Sequence, residues 1–127
     1  MRNAHGTIYV GIDVSKDKLA VAIAGGERGD EVLGLGTFEN SPASVDKLLK
    51  KLAGRVDISA CYEAGPTGYG LYRQIRAAGC ECCVVAPSLI PVRAGERVKT
   101  DRLDALRLAR LLRAGELTPS LAPRRDA

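Results

Sequence analysis

A chain of 127 residues, 46% of them hydrophobic and 27% charged, is long enough to bury a core and too apolar for general disorder. Nineteen basic against fifteen acidic side chains leave a net charge of +4 and a pI near 9.0, a mild bias toward polyanions that names no partner by itself. No apolar run approaches the roughly 20 residues that cross a bilayer, and the opening "MRNAHGTIYVGID" has no signal-peptide core, so the sequence reads as cytoplasmic.

Strand patterns come first along the chain. "TIYVGIDV" alternates, with Ile8, Val10 and Ile12 on one face and Tyr9, Gly11 and Asp13 on the other. After the polar turn "SKDK", residues 19–24 (LAVAIA) alternate large and small, and "EVLGLGTFE" predicts a third, looser strand weakened by glycines. Short connections between the three suggest an antiparallel meander. "NSPASVDKLLKKLAG" is punctuated as a helix: Asn40 or Ser41 as N-cap, Pro42 in the first helical position, Gly54 just past the end, and Val45, Leu48, Leu49 and Leu52 as the apolar stripe. "VDISACYE" predicts a buried strand ending at Glu63. After "AGPTGYG" a helix with Leu71 and Ile75 on one face runs to Gly79. "CECCVVAP" predicts strand five, a basic loop "SLIPVRAGERVK" follows, and "KTDRLDALRLARLL" predicts the last helix. The sequence order is thus βββαβαβα, an α/β chain with a mixed five-stranded sheet and helices on its faces. "GELTPSLAPRRDA", with Pro119 and Pro123 and no apolar period, reads as a linker. The division is therefore 1–114 as a domain and 115–127 as a link toward a further domain outside this chain.

The four cysteines suit a reduced interior strand better than a disulfide framework. Cys80 and Cys83 have C-x-x-C spacing, which raises zinc. Strand alternation sends them to opposite faces, and the single histidine, His5, lies far away in sequence.

Carboxylates are the better candidates for chemistry. Asp101 and Asp104 read most simply as an N-cap and a first-turn acid on the positive end of the last helix. At about 100° per residue, however, both fall in the sector of Ala105, Leu108, Leu111 and Leu112, while Arg102, Arg107, Arg110 and Arg113 fall on the other side. Inward-facing carboxylates call for a cation. Asp13 stands late in strand one and Glu63 closes strand four, where each alone reads as a turn or dipole-facing acid. If strands one and four are neighbours, Asp13 and Glu63 meet near the strand ends and the last helix brings Asp101 and Asp104 over them. Four carboxylates with no histidine or cysteine form a hard-oxygen set suited to magnesium or manganese. Two such ions roughly 4 Å apart stabilise the attacking and leaving oxygens of a phosphodiester.

Together "YVGIDVSKDKLAVAI", "YEAGPTGYGLYRQI" and "VKTDRLDALRLARLL" resemble, in order and spacing, the signature blocks of the N-terminal DEDD domain of insertion-sequence transposases, the group that includes the Piv-type DNA invertases. The resemblance covers nearly the whole chain. It implies a ribonuclease-H-like fold of the Holliday-junction-resolvase (RuvC) type, and a tetrad of Asp13, Glu63, Asp101 and Asp104 holding two Mg2+ or Mn2+ ions. It implies DNA of the element ends and target as partner, a guide RNA in some members, homo-oligomers of the full-length protein, and a serine nucleophile on a separate C-terminal domain. The expected activity is metal-dependent strand cleavage and exchange by a transposase or site-specific recombinase, with the isolated fragment inactive or weakly active.

Two other classes remain open at this point. One is a nucleic-acid-binding module without chemistry, which would keep binding after loss of all four acids. The other is an ATP-binding domain of the actin and sugar-kinase type, although "DVSKDK" lacks the glycine usual in its phosphate turn. Arg93, Arg97 and Lys99, in the loop before the last helix, are expected phosphate contacts if that loop is more than a solvated one. The amides of "GPTGYG" could hold a phosphate, or its glycines could simply shape a turn.

Overall fold

Alternation of large and small residues along the first two strands decides what each face of the sheet can accept. The computed structural model describes residues 7–25, 31–52, 57–64, 69–85, 104–117 and 119–121. Its elements are β1 (Thr7–Val14), β2 (Lys18–Ala24), β3 (Val32–Glu39), α1 (Pro42–Leu52), β4 (Asp57–Glu63), α2 (Gly70–Ala77), β5 (Glu81–Val85), α3 (Ala105–Ala114) and β6 (Pro119–Leu121). They form one sheet in the order β3-β2-β1-β4-β5-β6. β1 pairs antiparallel with β2 and parallel with β4, β2 pairs antiparallel with β3, and β4 pairs parallel with β5. The meander is as the short connections require, and the parallel pairs are bridged by helices.

One face carries the main core. Val10, Ile12, Leu19, Val21, Ile58, Ala60, Tyr62, Cys82 and Val84 meet Val45, Leu48 and Leu49 of α1 and Tyr72 and Ile75 of α2. α1 begins with Ser41, whose Oγ accepts the Ser44 amide at 3.2 Å, and Pro42 occupies the first helical position. α1 and α2 are tied by Gln74 Nε2 donating to the Pro42 carbonyl at 2.8 Å. Tyr62, almost fully buried, keeps its hydroxyl satisfied by accepting the Tyr72 amide at 3.1 Å.

The other face receives α3. Ala22 and Ala24 pack with Ala105 and Ala109, and Cys61 with Leu108. Gly11 lies under this helix: a Cβ there would fall under 3.0 Å from Ala105 O, Ala109 N and Leu108 Cβ. The glycine therefore sets how closely the helix can approach the central strand. β3, at the edge, is largely exposed along its length, with a register shift opposite Val21 and Ala22, as its glycines suggest.

Three sequence expectations change. α3 starts at Ala105 rather than at the lysine and threonine of "KTDRLD", because Asp104 adopts an extended backbone and caps the helix. The wheel that turned Asp104 inward does not apply to a residue outside the helix, and Asp104 is exposed. Residues 119–121, read as part of a linker, pair with β5 as a sixth strand. So short a strand has no alternation to betray it, and its first residue, Pro119, is one that tolerates only an edge position.

Candidate functional site

The register of the two central parallel strands brings the first two carboxylates together. Gly11 is paired with Cys61 and Ile12 with Tyr62. One step further along both strands stand Asp13 and Glu63, the former half-buried and the latter 3% exposed. In-register residues of neighbouring parallel strands project to the same face, with backbones about 4.8 Å apart. That face is the α3 face, since Gly11 and Cys61 lie on it two residues earlier. Asp13 Oδ1 and Glu63 Oε1 are buried oxygens to which the described groups donate no hydrogen bond, while both residues take part in other interactions.

The backbone around the pair is held from both sides. The turn that follows β1 is closed by Ser15 Oγ donating to the Lys18 carbonyl at 3.0 Å, and Asn40 Nδ2 donates to the Ser15 carbonyl at 2.8 Å. Beyond Glu63, the Ala64 amide donates to the Val85 carbonyl at 2.7 Å, so β4 stays paired past the carboxylate.

α3 runs antiparallel to β1. Its first turns lie over Gly11, and near its end Arg113 Nη1 donates to the Gly25 carbonyl, just past β2 and beside the start of β1, at 3.3 Å. Its N-terminus therefore points to the end of the sheet where Asp13 and Glu63 sit, and Asp104 stands there. Asp104 Oδ1 accepts the Arg107 amide at 2.9 Å. This bond uses part of the carboxylate's acceptor capacity, since two oxygens offer about four lone-pair positions. The cap and ligand readings are thus compatible for Asp104.

Asp101, Arg93, Arg97 and Lys99 lie outside the described residues, as do residues 65–68 of "GPTGYG". Among the described residues no three acidic, cysteine or histidine side chains gather as a metal site. The structure thus brings together Asp13 and Glu63, and sets Asp104 at the same end of the fold.

As a donor set the pair fits a hard divalent cation: two carboxylates side by side repel, burial of Glu63 strengthens the repulsion, and a cation between them reverses its sign. The thiols nearby are less suited. Cys80 and Cys82 face the α1 and α2 core, whereas Cys83 and Cys61 face α3, so the C-x-x-C residues are split by the sheet as alternation requires. The Cys61 thiol donates to the Leu108 carbonyl at 3.7 Å; the adjacent Cys83 thiol and then burial push it up, while Cys61 in turn lowers Cys83 against its own burial. Burial raises Cys80 and Cys82. It also pushes Tyr62 up to about 12, with the Tyr72 amide pulling weakly the other way.

Gly11 is the functional position that sequence reading passed over. It shares the Asp13 face of β1, and a lone glycine inside a strand is the signal that another backbone comes close there.

The model of the DEDD transposase family of IS110 type, described as "Transposase", matches residues 10–127. A putative transposase, y4qE, of Sinorhizobium fredii is 55% identical over 93% of this chain and 30% of its own length. The transposase for insertion sequence element IS1533 of Leptospira borgpetersenii is 38% identical over 84% of this chain and 31% of its own. The chain therefore spans less than a third of these curated relatives. The Thermus thermophilus RuvC structure superposes with a TM-score of 0.53 at 15% identity, covering 88% of this chain and 99% of that one. At such identity the likeness is one of fold, and it is the ribonuclease-H-like fold.

Proposed function

This chain belongs to the IS110-type DEDD transposase family, and we propose that it is the metal-dependent catalytic domain of a DNA transposase or recombinase. The observation that carries the reading is the register of β1 and β4, which sets Asp13 beside Glu63 at the end of the sheet toward which α3 directs Asp104.

In this reading Asp13, Glu63, Asp104 and Asp101 hold two Mg2+ or Mn2+ ions, for which an all-carboxylate set is the right chemistry. Bound divalent ions supply charge stabilisation to the attacking and leaving oxygens of a phosphodiester. The protein's own part is positional. Gly11 admits α3 close to β1 and so fixes the height of Asp104 above the pair. The cap bond to Arg107 orients the Asp104 carboxylate, and the Asn40-anchored turn fixes the end of β1 behind Asp13. Arg93, Arg97 and Lys99 contact phosphates of the strand.

DNA of the element ends and target is the proposed partner, with a guide RNA and a homo-oligomer as properties of the full-length protein, acting in the cytoplasm. No described helix is long and apolar enough to cross a membrane. The covalent step needs the serine nucleophile expected on the remainder of the protein, so strand exchange belongs to the full-length chain.

The test is anomalous diffraction from manganese-soaked crystals of the full-length protein with its DNA. Peaks flanked by Asp13 and Glu63 are expected. Manganese bound elsewhere, with this pair bare, overturns the reading.

A further inference from the structure

Beneath α3 lies a second cluster that the carboxylate chemistry does not use. Cys61 and Cys83 are register partners on the parallel strands β4 and β5. Both project to the α3 face, where the Cys61 thiol donates to the Leu108 carbonyl at 3.7 Å and Leu108, Leu111, Leu112 and Leu117 pack around the pair. We propose that Cys83 and Cys61 form an oxidative modification site, a dithiol that peroxides convert to a disulfide joining β4 to β5.

Geometry permits the bond. Neighbouring strands stand about 4.8 Å apart, inside the roughly 4.4–6.8 Å between Cα atoms that a disulfide spans. The Cβ vectors are parallel because the residues are in register in a parallel pair, which leaves the Cβ atoms about 4.8 Å apart, slightly beyond the roughly 3.5–4.5 Å usual across a disulfide, so closing the bond draws β4 and β5 together locally. Access is unequal: Cys61 is fully buried, whereas Cys83 is half-buried and is the most exposed of the four thiols. Cys83 is therefore the sulfur that meets the oxidant, and Cys61 the one that resolves it. Cys80 and Cys82 lie across the sheet in the α1 and α2 core and are not part of the site.

The chemistry balances with hydrogen peroxide as oxidant. Cys83 sulfur attacks one peroxide oxygen; the S–O bond forms, the O–O bond breaks, and hydroxide leaves to become water with the proton Cys83 gave up. Cys61 sulfur then attacks Cys83 sulfur; the S–S bond forms, the S–O bond breaks, and a second water leaves with the proton of Cys61. Two thiols lose two electrons and two protons, and the peroxide takes them up as two waters. A cross-strand bond of this kind is held under strain and so is readily reversed by a dithiol reductant.

The site stands independently of the metal reading, and its test does not involve activity. The native protein is treated with hydrogen peroxide, alkylated, cleaved after Arg76 and Glu81, and mapped by mass spectrometry. A peptide joining Cys61 to Cys83 is expected, lost on treatment with dithiothreitol, with Cys80 and Cys82 alkylated only after unfolding. In Cys61→Ala, or in Cys61→Val should the smaller residue unfold the chain, the link disappears and Cys83 is trapped as a sulfenic acid by a carbon nucleophile. A Cys82 to Cys83 link, over-oxidation of Cys83 in the unsubstituted protein without any link, or four unmodified thiols would each overturn the proposal.

Discussion

On the sheet face that receives α1 and α2, strands β1 and β2 present Val10, Ile12, Leu19 and Val21, whereas under α3 the same strands present Gly11, Ala20, Ala22 and Ala24, with Tyr9 the large apolar side chain near the start of β1. The first face is thick and gains stability by burying large side chains, each worth about 1.5–3 kcal/mol when fully buried. The second is thin. It buries less per residue but lets a helix lie against the strand backbone, which sets the helix N-terminus relative to Asp13 and Glu63. Stability and placement of the site are thus separated across one sheet: removing atoms should harm the first face, and adding them should harm the second.

The largest effect should come from the site itself. In the full-length protein, Asp13→Ala should lower recombination by on the order of 100-fold or more, since several kcal/mol of charge stabilisation are lost. Thermal melting of the same variant should stay near the unsubstituted value. Recombination at the original rate would break the link between the thin face and function.

Ile75→Ala, on the thick face, should cost about 2–5 kcal/mol in urea unfolding through loss of a fully buried side chain. Gly11→Ala, on the thin face, should cost about 1–3 kcal/mol although it adds a single methyl group, because that methyl has to displace backbone atoms of α3. A neutral or stabilising outcome for Gly11→Ala would remove the argument for close approach.

Asp104 sharpens the comparison further. Asp104→Ala should lose about 1 kcal/mol of helix capping, whereas Asp104→Ser keeps a good cap and removes the carboxylate. Unchanged stability with lost recombination in the serine variant assigns Asp104 to the metal; retained recombination leaves it a cap alone.

The smallest effect is a pH slope on the thick face. Tyr62 has its pKa raised from 10.0 to about 12, chiefly by burial. The folded chain therefore keeps a proton that the unfolded chain releases first. Its contribution is complete below pH 10 and is lost as pH rises through about 12. Denaturant unfolding between those values should show a shallower fall for Tyr62→Phe than for the unsubstituted chain.

Much of this was legible in residue order. Asn40, Ser41 and Pro42 mark the start of α1 because capping is local chemistry, and the two faces of β1 follow from alternation alone. A helical wheel starts α3 too early because it assigns an angle to any residue, including Asp104, whose extended backbone lies outside the helix as its N-cap. β6 was invisible because three residues with a proline carry no period, and pairing with β5 alone makes them a strand. The carboxylates were recognisable as a set through their motifs. That Asp13 and Glu63 are neighbours was conditional on strand order, which spacing along the chain leaves open.

By itself, then, the sequence determined the local structure: which segments are strands or helices, which side chains share a face, and which acids stand at element ends. Those properties depend on residues within a few positions of one another. Only the tertiary structure decided that β1 lies beside β4 in the register that sets Asp13 next to Glu63, that Cys61 faces Cys83, and that Gly11 is the seat of α3. These are contacts between segments dozens of residues apart, settled by which faces can pack together rather than by any local preference.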